Sequence, residues 1–200
     1  MPSPKQPAVP RVDVERHHRA LLAAAADELS RNPDSSMADV AQAANLTRAT
    51  LYRHFSNRQT LLKAIQAEAL ARASETLIAC RLDEGSALEV LARVIDSLSR
   101  HGMRFRIILL RAPDQNARFL AQRDEVLAPL VEVIRRGQRE GDIHADLSPE
   151  WIVTAMASLL ISAVRAAPKT KHSDADVSNL IFRTLVGGIA ACATTGGPKN

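Results

Sequence analysis

Residues 36–55 read SMADVAQAANLTRATLYRHF, and this stretch decides the fold. It predicts two short helices joined by a tight turn. Ser36 and Asp39 have capping-box spacing, with Asp in place of the usual Glu or Gln, and open the first helix. Met37, Val40, Ala41 and Ala44 recur at helical spacing and give it one apolar face. Asn45 falls where the turn needs a left-handed residue, a conformation Asn tolerates better than most residues other than Gly. Leu46 then plugs the turn into the core, and Thr47 is placed to cap the second helix. Leu51 and Phe55 are four apart and face inward, so Arg48, Thr50, Arg53 and His54 fall largely on the other side. Ala41 is small where the two helices must cross.

Charge gives this helix pair a purpose. No acidic residue lies between Asp39 and Glu68, yet Arg48, Arg53, Arg58 and Lys63 all fall there. A helix-turn-helix in a local positive field suits a surface that lies on DNA phosphates and puts one helix into the major groove. The formal net charge of +4 is modest for the whole chain, so the local clustering carries the signal. Arg48 is the candidate for direct base readout, because a guanidinium can take guanine O6 and N7 together. Blander readings stand beside these. Tyr52 also reads as a core residue with its hydroxyl at the surface, His54 as a solvated helix end, and Arg53 and Arg58 as solvated charges.

The segment from Arg16 to Ile65 resembles the DNA-binding domain of the tetracycline-repressor (TetR/AcrR) family. The likeness runs through ALLAAAADELS, then MADVAQAANLTRATLYRHF, then SNRQTLLKAI at the start of a fourth helix. TLYRHF followed by LLKAI is far more specific than a generic helix-turn-helix pattern. The rest of the chain agrees with the family only in length and helical character. The resemblance implies a three-helix operator-binding domain followed by a helical domain that dimerises and often binds a small effector. It also implies that Ser36 touches phosphate, that Thr47, Arg48 and Thr50 face the groove, and that Tyr52 and His54 contact backbone phosphates. Lys63 would reach phosphate from the fourth helix, and Arg53 shares the exposed face. Two positions depart from the family: Asn45 and Ala49 stand where Gly is usual or frequent.

Composition favours helix throughout. The chain is rich in Ala and Leu and poor in aromatics. The expected organisation is a disordered N-terminal arm over 1–11, a DNA-binding domain over 12–73, a helical effector and dimerisation domain over 74–195, and a tail over 196–200. The arm, MPSPKQPAVPR, has four prolines and lacks the apolar core of a signal peptide. The fourth helix is expected from Asn57 to about Cys80, with Leu62, Ile65, Ala69 and Leu77 on one face. Ser86 and Glu89 form a second capping box, opening a helix that His101-Gly102 should end. Pro129 should kink or split the pattern over 116–139. Ser148 and Pro149 read as the cap and first position of a helix to about Ala167. Ser173 and Asp176 box the last one.

The last two helices suit dimerisation. Residues 152–164 are apolar nearly all round, and 180–193 are rich in small residues. Ile152, Leu159, Ile181, Leu185 and Gly188 are the expected interface residues. Met103, Phe105, Phe119, Trp151 and Met156 are candidates for an effector pocket, although Met or Phe at helical spacing is more often core. So few aromatics argue against a stacking cage for flat cations and for an aliphatic or acidic ligand, or for none.

Other function classes fit poorly. The six histidines are scattered, with no HExxH, GxSxG or phosphate-gripping glycine loop, which argues against an enzyme. No metal site or cofactor is expected. His17 and His18 are neighbours about 100° apart on a helix and cannot form one chelate. Cys80 and Cys192 lie in separate helical patterns and make no disulfide framework, which suits a reducing cytoplasm. The run 152–164 is too short to span a bilayer. The expected protein is therefore an all-α, cytoplasmic, homodimeric regulator of double-stranded operator DNA, more a repressor than an activator, with no membrane partner and a small-molecule effector left open. The alternatives are a helical protein-interaction module using the helix-turn-helix for a protein partner, or a regulator of the same kind without an effector.

Overall fold

The computed structural model describes residues 11–104, 117–166 and 174–189. Every regular element among them is a helix: α1 (Arg11–Arg31), α2 (Met37–Ala43), α3 (Arg48–His54), α4 (Arg58–Ala79), α5 (Ala87–Arg104), α6 (Ala117–Leu127), α7 (Pro129–Glu140), α8 (Pro149–Ala166) and α9 (Asp174–Ile189). The arm over 1–10, the tail and Cys192 lie outside the described residues. The backbone forms two compact units that divide between Glu68 and Ala69, inside α4. The sequence pattern puts that boundary at residue 73, because an unbroken helix gives no local sign of where one unit ends.

The first unit packs large aliphatic side chains around a few alanines. Leu21, Leu22, Ala25, Ala26 and Leu29 of α1 are buried, as are Val40 and Ala41 of α2, Leu51 of α3, and Leu61 and Ile65 of α4. The alanines let the helix backbones approach closely. Leu61, not Leu62, is the fully buried residue at the start of α4, while Ile65 and Leu77 of the expected face are buried. Asn57 starts that helix as anticipated, its side-chain oxygen accepting from the Thr60 amide at 2.9 Å.

In the second unit α5 packs against α7, α8 and α9. Val90, Leu91, Val94 and Ile95 face that core and are almost wholly buried. Glu89 closes the expected capping box, accepting from the Ser86 amide at 2.8 Å while its own amide donates to Ser86 Oγ at 3.3 Å. His101-Gly102 does not end α5, which continues to Arg104. Glycine is tolerated inside a helix when packing outweighs its backbone entropy. Pro129 does break the long pattern: α6 stops at Leu127 and Pro129 opens α7. Gly141 ends α7 in the left-handed conformation, at φ 83°. Ser148 caps α8 through a 3.0 Å bond from the Trp151 amide. Gly137 marks a close approach of α7 to the start of α5, since a Cβ there would lie 2.6 Å from Ala87 Cβ. Ser173 lies outside the described residues.

Candidate nucleic-acid interface

The turn between α2 and α3 sets the recognition surface. Ser36 caps α2 in a complete box, and its amide donates to Asp39 Oδ2 at 2.8 Å. The Ser36 hydroxyl also donates to Asp39 Oδ2 at 2.8 Å and accepts from the Asp39 amide at 3.2 Å. The bond from that hydroxyl, then the one from the Ser36 amide, hold the Asp39 carboxyl below the usual carboxylate range. The hydroxyl hydrogen of Ser36 is therefore committed to the cap, and a phosphate would have to compete with Asp39 for it.

Asn45 closes α2 with φ 54°, the left-handed value expected from its place in the turn. The Leu46 amide bonds the Ala41 carbonyl at 2.8 Å and the Asn45 amide bonds the Gln42 carbonyl at 2.9 Å. This six-to-one and five-to-two pair is a Schellman motif. Leu46 is only half-buried beneath it. The next residue, Thr47, is extended and caps α3, its oxygen accepting from the Thr50 amide at 3.1 Å. Two abutting caps thus fix where α3 starts and which way it turns.

Only one turn of α3 is anchored inward, through Leu51 and the following Phe55. Arg48, Tyr52, Arg53 and His54 are exposed and Thr50 is half-buried. Tyr52 is 39% exposed, which removes the core reading of its ring. The Arg48 guanidinium lies 5.4 Å from the centre of that ring, a cation–π contact across one turn. Arg53 Nη2 donates to Thr50 Oγ1 at 3.1 Å, and the Thr50 and Thr47 hydroxyl oxygens are 2.8 Å apart. His54 lies with its ring centroid 6.3 Å from that of His18 on α1, and His18 lies 5.9 Å from Phe55. Lys63 is exposed on α4.

Arg58 is different from the other three cations. It reaches back to the loop between α1 and α2, donating to the Ser35 carbonyl through Nη1 and to the Pro33 carbonyl at 2.6 Å through Nη2. It is an internal clamp, not a solvated charge. No sequence pattern signals this, because the partners are backbone atoms more than twenty positions away.

Residues 21–65 match the family described as bacterial regulatory proteins, tetR family. The matched segment lies within the first unit, so the chain carries a tetR-type DNA-binding segment there. It is a DNA-binding transcriptional regulator, and the tetR-family relatives it resembles are regulators, not enzymes. It is similar to the HTH-type transcriptional regulator NfxB of Pseudomonas aeruginosa, 21% identical over 179 residues, 86% of this chain and 94% of that one. It is 25% identical over 186 residues to the HTH-type transcriptional repressor LfrR of Mycolicibacterium smegmatis, 90% of this chain and 94% of the other. The crystal structure of the TetR-like regulator LfrR in complex with proflavine superposes with a TM-score of 0.74 at 23% identity, covering 90% of this chain and 99% of that one. The structure of AibR in complex with isovaleryl coenzyme A and operator DNA gives 0.66 at 20% identity, covering 85% and 98%.

The sites expected in the second unit are rearranged. Ile152, Ile181 and Leu185, expected at a subunit interface, are core of their own protomer, at 1%, 3% and 4% exposure. In an all-round apolar helix, periodicity cannot say which stripe meets the chain's own core. Leu185 nevertheless lines, with Leu159 and Gly188, an open cleft of about 490 Å³ along α8 and α9, beside Trp151, Thr154, Ser158 and Thr184. Trp151 stands out of the core at 61% exposure while Met156 is buried at 1%. Five residues along a helix amount to about 500°, which turns them far apart. Phe119 is half-buried on α6. Phe105 and the side chain of Met103 lie outside the described residues. No described helix is long and apolar enough to cross a membrane.

Proposed function

We propose that the chain works in the cytoplasm as a homodimeric repressor of a palindromic operator, released by a small-molecule effector. The observation that carries this reading is the outward face of α3. It presents Thr47, Arg48, Thr50, Tyr52 and Arg53 with no carboxylate among them, on a tetR-type domain. In this reading Arg48 takes base edges, while Tyr52, His54 and Lys63 approach phosphates. Ser36 serves chiefly to fix α2.

Dimerisation is supported by α8 and α9. Trp151, 61% exposed, lines the open cleft, and Leu180 stands 58% exposed on α9. Large apolar side chains exposed together are the mark of a surface meant for a partner. A two-fold partner also matches the binding problem, since half-sites one helical turn apart, roughly 34–36 Å, need a two-fold protein. Ligand response is supported by the complexes of LfrR with proflavine and of AibR with isovaleryl coenzyme A. For this chain we favour an aliphatic or acidic ligand on composition. Release requires that the ligand bind two dimer states with unequal affinity.

Selection of bound fragments from genomic DNA, followed by light scattering of the complex, tests the reading. A near-palindrome bound by two protomers, with affinity falling steeply with salt, is the expected result. Absence of any enriched sequence, with salt-insensitive retention of a protein partner, would replace it with the interaction-module reading.

A further inference from the structure

On α3 the two arginines are held in different ways. Arg48 rests on the Tyr52 ring, a soft contact that leaves all its N–H groups free. Arg53 is tied by a directional bond to Thr50 Oγ1, which itself bonds Thr47 Oγ1. Arg53 is two residues from the buried Leu51, so it stands about 200° round the helix and points almost straight away from the core. Arg53 is exposed.

Proton counting defines this chain of bonds. Arginine can only donate, so Thr50 Oγ1 accepts from Arg53. Thr47 Oγ1 already accepts from the Thr50 amide. Two hydroxyl hydrogens remain and one is consumed between the two oxygens. The pair therefore offers one hydroxyl hydrogen outward, whichever threonine carries it. A threonine at 50 that already serves two neighbours is poorly free to read a base on its own. Its β-branch restricts the hydroxyl to few rotamers, so it makes a stiff rest for the guanidinium.

We propose that Thr50 is a positioning residue that aims Arg53, and that Arg53 is a second specificity-determining side chain beside Arg48. The proposal rests on the operator-binding reading above. Arg53 then reads one base position per half-site, and Thr50 contributes to that position through Arg53.

The test uses the full-length protein and an operator obtained by selection from random duplexes. Thr50→Val, Thr50→Ser, Arg53→Ala and the Thr50→Val/Arg53→Ala double variant are each profiled against every single-base change of that operator. Thermal melts establish that each variant is folded. Arg53→Ala should relax one position and lower operator affinity tenfold or more. Thr50→Val should relax the same position, Thr50→Ser should restore most of the preference, and adding Thr50→Val to Arg53→Ala should change affinity less than twofold. Losses that multiply in the double variant, or a different base position relaxed by Thr50→Val, would overturn the positioning role and make Thr50 a direct reader. If Thr50→Val does not fold, the Thr50→Ser profile with the Arg53→Ala profile decides: a serine variant that relaxes a position Arg53→Ala leaves intact overturns it equally. Failure of the wild-type protein to enrich any duplex would overturn the operator reading itself and this inference with it.

Discussion

The outward faces of α3 and of α8 with α9 use the same residue types to opposite ends. On α3 the hydroxyls of Thr47 and Thr50 bond each other and an arginine, and they leave one spare hydroxyl hydrogen facing out. On α8 and α9 the hydroxyls fold back onto their own helices. Thr154 donates to the Glu150 carbonyl at 2.9 Å, Ser158 to the Thr154 carbonyl at 2.9 Å, and Thr184 to the Leu180 carbonyl at 2.8 Å. What these residues then show to the outside is mostly carbon, next to Trp151 and Leu180. Burying that face would strand no hydroxyl donor among these three, which is what a dry interface requires. Threonine on a helix surface is thus not a single signal: where its proton goes decides whether the face meets phosphates or a protein.

The largest effect should come from putting a charge on the second face. Nothing lies within 4 Å of a Cβ built at Gly188, so Gly188→Arg should leave a single protomer well folded. Against a symmetry mate it would bury an unpaired guanidinium twice, at a cost of several kcal/mol each. Light scattering should find a monomer that has lost operator binding although α3 is untouched. A dimer of wild-type DNA affinity would move the interface elsewhere on α8.

Arg48→Ala addresses the first face. It should cost about 1–3 kcal/mol for each bidentate arginine–guanine pair it removes and relax one base position per half-site. Unchanged base preference in a binding-site profile would leave Arg48 as a charge stacked on Tyr52 and no more.

Ser36→Ala asks whether the α3 face depends on its upstream cap. Loss of an N-cap costs about 0.5–2 kcal/mol, so denaturant melts should show a lower midpoint with no change in slope. The same cap gives an acid dependence of known sign. Folding lowers the Asp39 pKa through the Ser36 bonds and the Glu89 pKa through those from Ser86. Both carboxylates therefore favour the folded state at neutral pH, and that contribution is lost as pH falls through the lowered folded values, below the usual carboxylate range. Asp39→Asn should flatten part of the decline between neutral and acid pH.

The smallest effect belongs to Lys63. If it meets phosphate, Lys63→Ala should weaken binding to all sequences alike and reduce the log–log salt slope by about 0.9 for each phosphate it neutralises. An unchanged slope would place Lys63 away from the DNA backbone.

How much of this is legible in the sequence follows from the range of the interactions. The caps at Ser36, Thr47, Asn57, Ser86 and Ser148, the left-handed Asn45 and the break at Pro129 are all local, so residue identity and spacing reveal them. Arg58 is not legible as a clamp, because its partners are carbonyls, which carry no residue signature. That Ile152 and Met156 face the protomer's own core is not legible for a related reason. On a helix apolar all round, only the neighbours settle which side is core. The hydroxyl chain through Thr50 lies between these cases. Its spacing of three is visible in the sequence, but a threonine there bonds a side chain or its own backbone with equal ease.

The chain has a single tryptophan and a single tyrosine. Trp151 stands on the α8 face and Tyr52 lies beside Arg48 on the α3 face. Each of the two surfaces therefore carries its own intrinsic chromophore, and no labelling is needed to watch them apart. Dilution that separates protomers would shift tryptophan emission toward that of an indole in water. DNA that draws Arg48 off the tyrosine ring would alter the tyrosine signal alone. Assembly and operator engagement can be titrated in one cuvette as two separate colours of the same unmodified protein.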